Sequence, residues 1–187
     1  MRQPRVTIDS ADVSQAANVH ALITENLEEG HLLPRTLSEI TAHADRFVVA
    51  VLGRRIVGCA ELAPLSPRVA EVRSLAVDRA VRGHGVGAQI VDELRRRARR
   101  GGFEKLCAFT HSPAYFIGMG FSIVPHLWLL EKIFTDCLAC PHFRRCRQYA
   151  MVVPLERTGR SVVDDPSGIR VHSEPDREDF AATGRYA

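Results

Sequence analysis

Residues 71–94 hold the segment most suited to chemistry: Glu71-Val-Arg-Ser-Leu-Ala-Val-Asp78, a short linker, Arg82-Gly83-His84-Gly85-Val86-Gly87, then Ala-Gln-Ile-Val-Asp-Glu-Leu94. This order reads as an apolar strand, a glycine-rich turn and an amphipathic helix. Glycines at alternate positions allow φ > 0 and a close approach of backbone to ligand. The helix behind them presents unpaired N–H groups and the positive end of its dipole, which together suit a diphosphate. Gly83, Gly85 and Ala88 also fit the loose dinucleotide fingerprint. That motif opens a domain after its first strand, with an acidic residue about 20 residues further on. Here roughly 70 residues come first, and the next strand runs into His111-Ser112-Pro113. A turn with no ligand is the third reading.

Three elements must hold this loop in place. Glu71–Val77 is a central strand, the helix after the loop buries Ile90, Val91, Leu94 and Ala98, and Gly101-Gly102 ends it. Arg5–Ile8 reads as a first strand. Asp9 and Ser10 can cap a helix from about Asp12 to Glu29, which Gly30 stops. Thr36-x-x-Glu39 is a capping box opening a short second helix. Phe47–Leu52 and Ile56–Leu62, joined by Gly53-Arg54-Arg55, form a hairpin. Lys105–Thr110 is a strand, Pro113–Gly118 a short helix, Phe121 onward another strand, and Ala150–Leu155 closes the sheet.

The order Arg82-x-x-Gly85-x-Gly87 after a strand bearing Glu71 resembles the coenzyme A pyrophosphate loop of the GNAT acetyltransferases, and the order of elements is that of their fold. That resemblance implies an α/β GNAT (acyl-CoA N-acyltransferase) fold, with a mixed, mostly antiparallel sheet flanked by helices. More specifically, Gly30-His31-Leu32-Leu33-Pro34-Arg35-Thr36-Leu37-Ser38-Glu39-Ile40 resembles a segment of the N-acetylglutamate synthases, most of all the short single-domain bacterial kind. Phe47–Ala50, Ile56–Ala60, Glu71–Gly87 and Asp136–Phe143, with Cys146 and Ala150-Met151, match the same family. Together these segments cover about residues 20–155.

The implied activity is transfer of acetyl from acetyl-CoA to the α-amino group of L-glutamate, the first step of arginine biosynthesis. The implied cofactor contacts are Leu75, Ala76, Val77, Arg82, Gly83, His84, Gly85, Val86, Gly87 and Ala88. The implied acceptor contacts are Leu33, Arg35, Arg73 and His111, with Arg35 suited to bidentate capture of a carboxylate. Glu71 is the expected base, and Tyr115 or Ser112 the expected acid for the leaving thiolate. His111 stands where some relatives have a substrate-contacting arginine, and Leu130 where proline is usual.

Two other functions stay open at this stage: a GNAT enzyme for another amino acid or a protein N-terminus, and a non-catalytic acyl-CoA-binding regulator. A chain of 187 residues, 45% hydrophobic and 25% charged, suits one soluble domain. The folded domain is expected over residues 1–156. Residues 157–187, with 11 charged residues among 31, read as a polar flexible tail. The net charge of +3 and the arginine run 95–100, at a helix C-terminus, suit a solvated face rather than nucleic acid. No stretch reaches membrane-spanning length, and five cysteines without a secretion signal fit a reducing cytoplasm. Cys137, Cys140, His142 and Cys146 have one ligand-like pair, and the spacing favours plain cysteines over a metal site. The sequence is compatible with a homodimer.

Overall fold

The computed structural model describes residues 5–29, 32–140 and 142–155. Residues 1–4, Gly30, His31, Pro141 and residues 156–187 lie outside the described residues, and with them the expected helix stop and tail. Among the described residues, seven strands form one sheet in the order β1-β2-β3-β4-β5-β7-β6. They are β1 (Val6–Ser10), β2 (Phe47–Leu52), β3 (Arg55–Pro64), β4 (Val69–Val77), β5 (Lys105–Thr110), β6 (Ser122–Val124) and β7 (Tyr149–Pro154). Every pairing is antiparallel except β4 with β5. The helices are α1 (Ala16–Asn26), α2 (Leu37–Ala42), α3 (Val86–Arg100), α4 (Pro113–Ile117) and α5 (Leu130–Thr135).

The first helix starts later than expected. Asp12, rather than Asp9 or Ser10, caps a 3-10 turn that leads into α1, because its carboxylate accepts from the N–H groups of Ser14 and Gln15. The Thr36–Glu39 capping box forms with both of its halves. A short α5 and several 3-10 turns occupy residues 126–145, where the sequence shows no helical periodicity long enough to read. Leu130 is the first residue of α5 and half exposed, a position where proline and leucine serve equally because no helical N–H bond is needed there. Among the described residues, no helix is long and apolar enough to cross a membrane.

One face of the sheet carries α3. Val48, Ala50, Ala60, Ala70, Val72, Leu106, Ala108 and Met151 pack there against Val86, Ile90, Val91, Leu94 and Ala98. The opposite face holds two separate apolar clusters. Phe47, Val49, Cys59 and Ala76 pack under α1 and α2, whereas Val69, Cys107 and Ala150 pack with Leu129, just before α5. Strand periodicity places Glu61 on β3 and Glu71 and Arg73 on β4 along the gap between those clusters. Both glutamates are buried.

Ser74 explains how β4 serves both faces. It is a non-glycine residue with φ of 55°, and the β3–β4 register slips between Cys59–Ala76 and Glu61–Arg73. The extra residue is a β-bulge, which reverses the alternation of side chains. Before it Ala70 and Val72 face α3; after it Leu75 and Val77 do, and Ala76 turns to α1.

Candidate active site

The parallel β4–β5 ladder runs only from Val69–Lys105 to Val72–Ala108. Beyond that pair β4 continues to Val77 on β3, and β5 continues to Thr110 on β7. The strands therefore diverge immediately after Val72, the neighbour of Glu71, leaving β4 residues 73–77 without a β5 partner in the ladder. This opening points toward the loop between β4 and α3. Leu75, Ala76 and Val77 line its β4 side and lead straight into that loop.

Gly83 and Gly85 sit at φ of 80° and 76°, and Gly85 is the N-cap of α3. A Cβ at either would meet nothing within 4 Å, so the left-handed backbone is what requires glycine there. Gly85 offers no side chain to cap α3, so the first-turn N–H groups of Val86, Gly87 and Ala88 suit an external anion. Gly87 corrects the sequence reading. It lies inside the helix and has no positive φ; a Cβ there would collide with the Tyr115 hydroxyl. Gly87 thus lets the phenol of α4 approach the start of α3.

Arg82 is committed within the protein. Its guanidinium donates to Val77 O (3.0 Å), Glu29 Oε1 (2.9 Å) and Asn26 Oδ1, and Arg79 shares Glu29. It moors the loop to the end of α1. His84 Nδ1 lies 2.9 Å from the Arg82 carbonyl oxygen, bracing the turn between the two left-handed glycines.

Two charged groups stand in the gap on the opposite face. In the first, Arg35 Nη1 donates to Glu61 Oε2 at 2.8 Å and to Ser74 Oγ at 3.3 Å. His43 Nδ1 is buried without a hydrogen bond, 3.9 Å from Glu61 Oε1. In the second, Lys132 Nζ on α5 lies 2.8 Å from both oxygens of Glu71, and Arg73 Nη2 lies 2.7 Å from Glu71 Oε2. Asp136 Oδ2 accepts from Lys132 at 2.8 Å and from Arg73. Lys132 also stands 5.3 Å from the centre of the Phe109 ring. Glu61 and Arg73 are direct cross-strand partners, so the two groups adjoin.

The other expected site residues lie nearby in the fold. Leu33 is exposed in the loop before Arg35, and His111 follows β5. Ser112 occupies the N-cap of α4, although its hydroxyl does not cap that helix. Tyr115 is partly exposed. Burial first, and then the charge of Asp92, push its hydroxyl above the usual phenol range, so it keeps its proton at neutral pH.

Glu61, His43, Lys132 and Asp136 were not singled out from the sequence. A carboxylate in the apolar run Ile56–Leu62 was the legible sign for Glu61, since a buried charge needs a partner. Lys132 on α5 and Asp136 just after it, four residues apart, gave no sign of the strand they would meet. The arginine run after Leu94 is largely paired: Arg96, Arg97 and Arg100 all reach Glu93, and Arg95 stacks 5.5 Å from the centre of the Phe121 ring. Among the described residues, no three His, Cys, Asp or Glu side chains gather as a metal site.

The sheet thus splays beside a helix capped by glycine, and comparison with known families identifies the class of protein that carries this architecture. The model of the acetyltransferase (GNAT) family matches residues 16–121, and the chain belongs to that family. It is an N-acetyltransferase with acetyl-CoA as its cosubstrate. An uncharacterized N-acetyltransferase of Chlorobaculum tepidum is 28% identical over 148 residues, which are 79% of this chain and 96% of that one. An amino-acid acetyltransferase of Mycobacterium tuberculosis is 30% identical over 121 residues, 63% of this chain and 65% of that one. Among solved structures, the N-acetylglutamate synthase of Neisseria gonorrhoeae, complexed with coenzyme A and N-acetyl-glutamate, superposes with a TM-score of 0.74 at 23% identity. The match covers 83% of this chain and 36% of the synthase chain.

Proposed function

We propose that this protein acetylates the α-amino group of L-glutamate, acting as an N-acetylglutamate synthase in arginine biosynthesis. The observation that carries this reading is the pair of cationic stations beside the splay, Arg35 paired with Glu61 and Arg73–Lys132 paired with Glu71 and Asp136, in the gap between two apolar clusters. Two such stations suit a small acceptor with two carboxylates, each taken by charge-assisted hydrogen bonds. The names borne by the Mycobacterium and Neisseria relatives support the same class of acceptor.

Glu71 takes the ammonium proton of the acceptor, directly or through one water, at the point where the strands diverge. Both of its oxygens accept from Lys132 in the structure. Freeing one of them requires Lys132 to find another anion, which a dicarboxylate acceptor brings. Tyr115, protonated and resting against Gly87, supplies the proton to the departing thiolate; Ser112 is the second donor within the same turn. The loop Arg82–Ala88 holds the diphosphate, and residues 75–77 hold the chain that leads from it to the thioester.

The test is release of free thiol from acetyl-CoA with each of the twenty amino acids in turn. Release with glutamate above all others is expected. Preference for a neutral amino acid, or no release with any, would overturn the assignment.

A further inference from the structure

Of the three charged groups gathered around Glu71, which are Arg73, Lys132 and Asp136, the last is set apart. Glu71 is fixed within the β4 ladder with its side chain 4% exposed, whereas the Asp136 side chain is 33% exposed. Asp136 follows the last residue of the six-residue helix α5 and leads into the turn Cys137–Ala139. One oxygen, Oδ2, takes both of its contacts, from Arg73 Nη2 and Lys132 Nζ. The two cations are thus shared between one carboxylate built into the sheet and a second that reaches in from a loop.

We propose that Arg73 and Lys132 form an exchangeable carboxylate seat, which Asp136 occupies until the side-chain carboxylate of the acceptor displaces it. This deepens the reading of the gap as the acceptor site and rests on it. Charge balance supplies the reason. Two cations and two carboxylates are neutral, and a third carboxylate in this half-buried place would leave an uncompensated anion. An incoming carboxylate therefore enters only as Asp136 leaves. Asp136, already in contact with water, regains hydration when it does. A neutral side chain, such as the amide of glutamine, lacks the charge to compete and leaves Asp136 seated. Discrimination then comes from an internal competitor as well as from attraction.

Glutarate, a dicarboxylate with no amine to acetylate, isolates the seat from the chemistry. It is titrated by calorimetry into the full chain with coenzyme A present, for the wild type, Asp136→Asn and Asp136→Glu. Asp136→Asn should tighten glutarate about tenfold, because the fraction of protein with an open seat rises. Asp136→Glu, which restores the competing charge, should bind as the wild type does. In kinetics, Asp136→Asn should lower the KM for glutamate and widen use of glutamine, with the KM for acetyl-CoA unchanged. Unchanged or weaker glutarate binding in a folded Asp136→Asn protein would refute the seat. So would failure of that variant to fold, since an exchangeable group cannot be essential to the fold. Tighter glutarate binding without acetylation of any amino acid would uphold the seat and refute the acceptor assignment.

Discussion

Arg35 reaches the gap only because Glu61 holds it there, and this changes what its removal does. Arg35→Ala would strand the buried carboxylate of Glu61, at a cost of about 3–5 kcal/mol typical of a broken buried pair. Lowered stability would then mask any loss of acceptor binding. Arg35→Lys is the informative variant, since it keeps the charge and loses the planar fork. We expect a folded protein with weaker glutamate binding and normal coenzyme A binding by calorimetry; equal loss of both would remove Arg35 from the acceptor site. Glu71→Gln keeps the size of the side chain but cannot take a proton. Its kcat should fall about 10²–10⁴-fold at neutral pH, the usual contribution of a general base. The defect should shrink as pH rises and more free amine is present, while the acceptor KM should not rise because Lys132 and Arg73 are released to the acceptor. A normal kcat with chemistry limiting would make Glu71 an anchor for those cations and nothing more.

At the scale of elements, β3 and α3 meet through Gly58. A Cβ there would lie 2.8 Å from Ile90 Cδ1 and 3.2 Å from both Ala50 Cβ and Val86 Cγ1. Gly58→Val should cost about 1–3 kcal/mol by overpacking. It should also weaken coenzyme A binding, because the proposed diphosphate loop leads directly into the first turn of α3. Thermal unfolding and calorimetry read the two effects, and a normal Tm would show that α3 is free to shift. Gly85→Val acts differently. Space is open around it, so the penalty lies in forcing a branched residue to φ of 76°. Loss of coenzyme A affinity should far exceed loss of stability. Affinity unchanged in a folded variant would remove the loop from the cofactor site.

For the whole molecule, the five cysteines divide by depth. Cys59 is fully buried, and burial pushes its thiol up to about 12. Cys107 is buried too, its thiol raised by burial first and then by the charge of Glu71. Cys137 and Cys140 are half-buried, the Cys137 thiol raised by burial, and Cys146 is exposed. Thiolates, not thiols, react with disulfide reagents. In the native protein Cys146 should label fastest and Cys137 more slowly, while Cys59 and Cys107 should label only on unfolding. Mass mapping after timed labelling checks this order. Labelling of Cys107 as fast as Cys146 would mean that the sheet opens beside Glu71.

Period-2 and period-3.6 patterns, the Thr36 capping box and the glycine loop were enough to locate the seven strands, the helices α1 to α4 and the start of α3, because each rests on neighbours in sequence. The loop stood out as chemistry for the same reason, by residue type and spacing, whereas the roles proposed for Arg35 and Glu71 came through the family resemblance of their segments. The sequence by itself also carried the family, through short segments whose order needs no coordinates. What it could not show was which charges face one another. Glu61 lies 26 residues from Arg35, and Lys132 lies 61 from Glu71. Nothing local joins them. The bulge at Ser74, the divergence of β4 from β5 and the docking of α5 through Leu129 bring them to one gap. Those events depend on pairing across the sheet and on burial, which only the closed tertiary structure decides.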